Sequence, residues 1–480
     1  MLEKAFPFLR WFKGYSAADL RSDGIAGLTV ALVLIPQSMA YAQLAGLPPY
    51  YGLYAAFLPP MIAALFGSSR QLATGPVAVV SLMTFASLAP LATAGSERFI
   101  GYAIVLALLV GVVQLTLGLL RLGLVVNFLS HPVVNGFTNA AAIIIATSQL
   151  SKIFGVHVDT AEHHYETVVR VVDAAVRFTH WPTFFLGLLA FAIMFILKRI
   201  APRVPNVLVA VALTTLISWA VGYQHNAVVK MSDLRSPDLH EQIRRFNDAL
   251  ADISRLGDER LEAALRLEHA KASGDSVAIL NAAHDVDLLS MTIELRKDNA
   301  HLYREAMRAT ILKGIPQADG GTLFYPAAEA PPGMEGDGYR WRIHIGNNPV
   351  DTERLRLTGG GDVVGVVPKG LPAFTLPNID LALMLHLFPY AAIISFLGFM
   401  EAISIAKAMA GKTGQRIDPN QELIGQGLAN LIGAFGKSYP VSGSFSRSAV
   451  NLAAGAVTRQ YTRFNTQNLV IKLRLQNPHL

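Results

Sequence analysis

The chain has 480 residues, of which 52% are hydrophobic and 15% are charged; it has no cysteine and a net charge of +6. Soluble domains usually carry about 25% charged residues, and here most of the charge lies in one block between residues 223 and 365. The absence of cysteine excludes disulfides and thiol chemistry. The apolar runs outside the block reach the length of a membrane-spanning helix, roughly 20 residues. We therefore predict an all-α polytopic membrane protein whose basic loops face the cytoplasm.

The start of the chain, residues 1–23, predicts a cytoplasmic amphipathic segment, because no short apolar stretch with a small-residue cleavage site occurs there. Ten apolar segments follow, at 24–45, 50–67, 76–95, 100–121, 132–150, 182–198, 206–222, 381–401, 423–437 and 441–456. Basic connections come after the second, fourth, sixth and eighth segments, which places the N-terminus in the cytoplasm. We group the segments as transmembrane helices 1–7 (24–222) and 8–10 (366–456), followed by a basic cytoplasmic tail (457–480).

The polar block at 223–365 predicts a soluble, extracytoplasmic α+β insert. Pro237 starts a helix after Ser236, and a first apolar stripe repeats at helical steps through Ile243, Phe246, Leu250 and Ile253. Gly274 breaks this pattern before a second helical run through Leu280, Leu288, Met291 and Leu295. Strict alternation over 339–345 predicts a strand, with 355–357 as its partner. The simplest arrangement is two antiparallel helices and a small sheet.

The third and tenth segments begin after extended chain, at Gly75-Pro76 and at Pro440. Irregular backbone at membrane depth survives only where protein buries it or a watery cavity solvates it. A helix N-terminus favours an anion, and paired broken segments mark a transporter's substrate site. Ser444 and Ser446 add hydroxyl donors and Arg447 adds positive charge, so these segments predict an anion site.

Each of these residues also has a structural interpretation. The serines are equally consistent with helix capping and close helix packing, and Gln37 is consistent with either an anion donor or a bond to a neighbouring helix. Arg447 favours function, because an intramembrane arginine costs about 3 kcal/mol on insertion scales. Glu401 also favours function, because a carboxyl group removed from water binds a proton more readily. Its alternative is a solvated position paired with Lys407.

No nucleophilic triad and no third ligand beside His163 and His164 occur in the sequence. We therefore expect no enzyme, no catalytic residue, no metal site and no cofactor. Basic residues in cytoplasmic loops explain the net positive charge of the chain, so nucleic acid is not an expected partner.

Several stretches of the chain closely resemble the sulfate permease (SulP) family of anion transporters. They are Gly24–Val30, Ile35–Ala42, Ala45–Tyr54, Thr74–Val79, Phe399–Ser404, Asp418–Leu423 and Ser442–Ser448. The resemblance covers about residues 15–222 and 366–456. It implies a fold of two inverted seven-helix repeats arranged as core and gate, with elevator-like alternating access.

The same resemblance implies roles for particular residues, all named here by their own numbers. The anion site lies between the third and tenth half-helices, and the residues facing it are Gln37, Tyr41, Val77, Ala78, Ser444, Phe445 and Ser446. Arg447 resembles the basic residue that adds positive field. Glu401 matches an acidic position linked to proton coupling in plant-type sulfate carriers.

Two departures from the family pattern qualify these expectations. The insert is much longer than the usual connection between helices seven and eight. The family continues with four more helices and a cytoplasmic STAS domain that supports dimers, so the second repeat is expected to be incomplete here.

The leading hypothesis is a sulfate carrier in the lipid bilayer of the plasma membrane, driven by proton symport. A homodimer is a possible assembly. The alternatives are a sodium-coupled carrier, a bicarbonate, chloride or dicarboxylate carrier, an anchor that displays the insert, and an inactive fragment.

Overall fold

The computed structural model describes most of the chain. The described residues are 15–123, 146–156, 164–201, 206–317, 321–331, 333–361, 370–377 and 380–456, with positions 8, 136, 139–140, 143–144, 158 and 367–368. Much of the predicted fifth segment, nearly all of residues 1–14 and the whole predicted tail lie outside them. The chain divides into two compact units, Met1–Ile145 with Gly365–Leu480, and Ala146–Val364.

The first unit is built from helices and one short pair of strands. Its elements in chain order are α1 (Ala17–Leu44), α2 (Pro49–Ala55), α3 (Leu58–Phe66), β1 (Ala73–Gly75), α4 (Ala78–Leu88), α5 (Glu97–Leu119), α12 (Leu381–Thr413), α13 (Pro419–Phe435), β7 (Ser442–Ser444) and α14 (Phe445–Ala453). The second apolar segment of the sequence is divided between α2 and α3. The third and tenth segments form short helices, α4 and α14, that follow strands.

Four helices among the described residues are long and apolar enough to cross a membrane: Ala17–Leu44, Glu97–Leu119, Trp181–Ile200 and Leu381–Thr413. Two shorter apolar helices span Ala78–Leu88 and Val209–Ala220. The predicted first, fourth, sixth and eighth segments therefore form helices of spanning length. The other described segments form shorter helices, and proline or a strand interrupts the second, third and tenth of them.

Helices α5 and α13 approach so closely that their backbones are in contact. A Cβ atom on Gly111 would lie 2.4 Å from the backbone nitrogen of Leu431, and one on Gly427 would lie 2.5 Å from that of Leu115. Small residues allow such packing in membrane proteins, where van der Waals contact holds helices together. This close packing brings the polar side chains of α13 next to the paired strands β1 and β7.

Among its described residues, the second unit begins with four helices: α6 (Leu150–Phe154), α7 (His164–Phe178), α8 (Trp181–Ile200) and α9 (Asn206–Ala220). Helix α7 was not predicted. It carries the apolar side chains of Tyr165, Val169, Val172 and Val176 on one exposed side. Helix α7 is amphipathic, with charged residues between its apolar ones, so it contains no continuous apolar run of the kind that indicates a membrane span.

The polar block folds as the α+β insert that its pattern predicts. Its helices are α10 (Pro237–Ser273) and α11 (Ser276–Ala309), and its strands are β2 (Asn226–Val229), β3 (Leu312–Pro316), β4 (Thr322–Pro326), β5 (Arg340–Ile343) and β6 (Leu355–Thr358). The strands form one sheet in the order β2-β6-β5-β3-β4. Strand β5 pairs with β6, as expected, with Ile343 opposite Leu357.

The insert has a hydrophobic core of its own. Ser236 caps α10 and Gly274 ends it in the left-handed conformation, at the predicted positions. The first apolar stripe is buried with strand residues such as Phe324 and Trp341. The second run, which starts at Leu280, is helical as predicted but largely exposed.

Candidate functional site

The two short strands of the first unit join the parts of the chain that precede α4 and α14. β1 and β7 pair antiparallel, with Ala73 opposite Ser444 and Gly75 opposite Ser442. Helix α14 follows β7 directly and α4 starts three residues after β1. Both helices thus begin after extended chain, as the sequence predicts, and both starts lie beside one ladder.

The starts of these two helices differ in capping. The first N–H groups of an α-helix have no intrahelical acceptors, and Val77, which precedes α4, provides no side-chain cap for them. Ser444 caps α14 by accepting a hydrogen bond from the Arg447 backbone at 3.5 Å. Capping, the structural interpretation of the serines, therefore applies to Ser444. Two helix N-termini at one ladder still provide a partial positive charge that favours an anion.

Arg447 lies almost completely buried, at 1% exposure, beside this ladder. A Cβ atom on Gly75 would lie 3.2 Å from its Nη2 atom, so the absence of a side chain at Gly75 leaves room for the guanidinium. The Nη1 atom donates to Gln37 Oε1 of α1 at 3.3 Å. A buried positive charge is costly unless it is compensated, and an anion would supply compensation.

Further hydrogen-bonding groups lie next to Gln37, which accepts from the guanidinium. Gln37 Nε2 donates to Tyr41 Oη at 3.0 Å and to Ser446 Oγ at 3.3 Å, and the Ser444 and Ser446 hydroxyl oxygens are 3.4 Å apart. Ser446 is exposed, and Gln37 and Tyr41 are partly exposed. Gln37 therefore bonds a neighbouring helix, α14, as its structural interpretation predicts. Its partners on that helix, Ser446 and Arg447, are themselves residues of the predicted anion site.

The remaining predicted residues differ in their accessibility. Val77 and Ala78 are buried at the start of α4, at 3% and 9% exposure, whereas Phe445 is 59% exposed. Glu401, on α12, has a buried Oε2 atom that makes no hydrogen bond within the described part of the chain. The charge of Arg447 acts on it electrostatically. An ionised Glu401 would offset the field of Arg447, and a protonated one would not.

Sequence reasoning missed a buried polar network that holds the site together. Asn430 of α13 accepts from the backbone N–H of Val441 at 2.8 Å and donates to its carbonyl at 3.1 Å. Asn430 also donates to Gln114 Oε1 of α5 at 3.0 Å, and Gln426 donates to Thr74 Oγ1 at 2.8 Å. The signal was available, since Gln426 and Asn430 are one helical turn apart in an apolar segment.

Two residues of α14 fasten that helix to β1 and to the chain just before it. Ser448 Oγ accepts from Ala73 N at 3.0 Å and donates to Ser444 O at 2.6 Å. Asn451 Nδ2 donates to Gln71 O at 3.1 Å. Both side chains are fully buried, so they serve the architecture, while Ser446 remains accessible.

Comparison with known proteins shows to which family the chain belongs. A sequence profile described as "Sulfate permease family" matches residues 20–255 and 349–474. The chain is 30% identical over 459 residues to "Sulfate transporter 4.1, chloroplastic" of Arabidopsis thaliana, covering 95% of this chain and 48% of the relative. It is 28% identical to "Sodium-independent sulfate anion transporter" of Bos taurus, covering 95% and 58%. The chain spans about half the length of the curated relatives it matches.

Solved structures share the fold. The murine Slc26a9 anion transporter in the inward-facing state aligns with a TM-score of 0.63 at 17% identity, covering 100% of this chain and 60% of that one. The transmembrane domain of the cyanobacterial bicarbonate transporter BicA aligns with a TM-score of 0.59 at 18% identity, covering 96% and 83%. The fold is that of an all-α membrane transporter. With the profile match over most of its length, this chain belongs to the sulfate permease family.

Proposed function

We propose that the chain binds a small inorganic anion, most simply sulfate, beside the β1–β7 ladder and carries it as a secondary transporter. The observation that carries this proposal is the exposed hydroxyl of Ser446 and the amide of Gln37 next to the buried Arg447 guanidinium. Hydroxyl, amide and helix N–H donors bind an oxyanion without a metal. The names of the relatives support sulfate, and the name of BicA supports bicarbonate as the alternative anion.

The proposed coupling ion is a proton bound at Glu401. When Glu401 is ionised, its charge offsets that of Arg447 and little net attraction for an anion remains. Protonation of Glu401 removes a negative charge that acts on Arg447, so the site attracts an anion more strongly. Because coupling between two ligands is reciprocal, anion binding then favours proton binding by the same factor. Sodium is the alternative coupling ion.

The proposed transport step is an elevator-like movement of the part of the chain that carries the site. The proposed location is the plasma membrane, with residues 1–23 and the basic tail in the cytoplasm and the insert outside. These assignments follow from the distribution of basic loops and from the family resemblance. The proposed seven-plus-three arrangement of helices keeps both half-helices of the site in this chain.

The test has two parts, because binding and transport make different demands on the chain. Labelled sulfate binding to the purified protein probes the site, and uptake into proteoliposomes, with and without an inward proton gradient, probes transport. We expect saturable binding, competition by bicarbonate or chloride at higher concentrations, and uptake that a proton gradient accelerates. Binding without uptake would support the proposed binding site and would contradict transport by this chain. Absence of both from folded protein would reject the proposal.

The second candidate function is a membrane anchor that displays the insert as an external binding module. It is favoured by the separate hydrophobic core of the insert. Under this function sulfate neither binds nor accumulates, and replacing Arg447 has no effect on any activity of the insert.

A further inference from the structure

Helix α11 of the insert is apolar on two faces, and only one of them is buried. Ile293, Ala300 and Met307 pack into the core that the insert helices share with the sheet. The other face carries a stripe of side chains that are between 52% and 72% exposed, which we call the outer stripe: Leu280, Leu288, Met291, Leu295 and Leu302. The steps between these residues keep them on one side of a helix. Exposed His284 separates Leu280 from the other four residues, and exposed apolar surface of this kind on a helix marks an interaction site.

Acidic residues follow one edge of the outer stripe. They are all exposed, and they recur at steps of seven, four and seven residues, which place them on one side of α11: Asp287, Glu294, Asp298 and Glu305. The row runs beside the outer stripe over most of its length. An approaching partner therefore meets apolar contact and negative charge together.

Three arginines of the same helix make their contacts inside the insert. Arg304 is buried and donates to Gly346 O at 3.3 Å, and Arg308 donates to Ile345 O at 2.7 Å. Arg296 pairs with Asp252 of α10 at 3.3 Å. These three charges are therefore used inside the insert, whereas His301 lies 3.6 Å from Glu305 and Lys297 interacts electrostatically with Glu294. Four carboxylates against this one lysine and one histidine leave the row acidic.

The acidic row beside the outer stripe determines which kind of partner can bind this surface. An anionic lipid surface would be repelled by the acidic row. A second copy of α11 would also meet like charge: an antiparallel pair centred on Met291 sets Asp287 beside the partner's Glu294, and a parallel pair sets Asp298 beside the partner's Asp298. Like charges across such a contact destabilise it. A cationic amphipathic helix meets neither obstacle.

We propose that the outer stripe and its acidic row form a docking surface for a basic amphipathic helix of another polypeptide. Such a helix lays apolar residues at three- and four-residue steps along the stripe, in the helix-in-groove manner of recognition. Lysine or arginine residues on its flank lie over the acidic row. From Leu280 to Leu302 the surface is about 33 Å long at 1.5 Å per residue, which matches a partner helix of about 22 residues.

The experiment uses the full-length chain in nanodiscs of neutral lipid and two labelled peptides of about 22 residues, the length set by the helical rise. Both peptides carry leucine at the same heptad positions; one has lysine and the other glutamate on the flanks. Fluorescence anisotropy against empty nanodiscs measures specific binding. We expect the lysine peptide to bind at least about tenfold more tightly than the glutamate peptide, a difference of about 1.4 kcal/mol.

Two variants and a control separate the apolar contribution from the charge contribution. Replacing Leu288 and Leu295 together by serine should abolish binding of the lysine peptide, whereas Val228→Ser, at an exposed position on β2, should leave binding unchanged. Replacing Glu294 and Asp298 by lysine should reverse the preference between the peptides. Equal binding of both peptides, or binding that the leucine variants leave intact, would overturn the proposal. Dimerisation of the chain through α11 with neither peptide bound would also overturn it, in favour of a second copy.

Discussion

Replacement of Arg447 by glutamine tests whether its buried charge attracts the anion. The guanidinium is 1% exposed and donates to Gln37 at 3.3 Å, and Gln37 lies 3.3 Å from Ser446 Oγ. An anion held by Gln37 and Ser446 would lie about 6 Å from that charge. At this distance and an effective dielectric constant of about 20, each unit of anion charge contributes about 3 kcal/mol. Glutamine keeps a hydrogen-bonding group at the position and removes the charge.

The expected signature is therefore a dependence on the charge of the anion. Affinity for a monovalent anion such as chloride should fall by about 100-fold, because 1.4 kcal/mol corresponds to a factor of ten. Affinity for divalent sulfate should fall by a further factor of about 100, since its interaction with the charge is about twice as large. Arg447→Lys, which retains the charge, should lose much less for both anions.

The assay is equilibrium binding of labelled sulfate and labelled chloride to purified protein, with thermal unfolding as a check on folding. Equal losses for sulfate and chloride in folded Arg447→Gln protein would refute the electrostatic argument and assign Arg447 a packing role. An unchanged affinity for both anions would place the binding site elsewhere.

The other predictions concern single side chains around the site. Ser446→Ala should weaken sulfate binding by about 1.5–3 kcal/mol through loss of a hydrogen bond to a charged group with an unchanged melting temperature, whereas Ser448→Ala should lower the melting temperature. In the wild type, sulfate binding should strengthen as the pH falls and Glu401 becomes protonated. Glu401→Gln mimics the protonated carboxyl group, so sulfate binding by this variant should be independent of pH. Its sulfate uptake should no longer respond to a proton gradient. A pH dependence retained in this variant would exclude Glu401 as the coupling group. Asn430→Ala leaves the backbone groups of Val441 without their partner, and should lower the free energy of unfolding by about 1–3 kcal/mol; unchanged thermal unfolding would contradict this.

The sequence alone determined the class of protein and the position of most described elements. Apolar runs fix where helices of spanning length occur, because a bilayer requires about 20 apolar residues. In the insert, Ser236 and Gly274 mark the limits of α10 through local capping chemistry, and strict alternation marks β5. The start of α14 was predictable from the extended, serine-containing stretch before it. All of these signals act within a few residues of the chain.

Which of these elements meet depends on contacts between distant parts of the folded chain. The pairing of β1 with β7 joins residues more than 360 positions apart, as in Ala73 and Ser444, and no local pattern specifies such a partner. The same holds for Asn430, whose side chain satisfies the backbone of Val441, and for the room that Gly75 leaves for Arg447. A polar side chain in an apolar helix indicates that a hydrogen-bonding partner is needed, because burying the group without one is costly. Which partner it has depends on how the helices pack, because hydrogen bonds and close contacts form between surfaces that only the folded chain brings together.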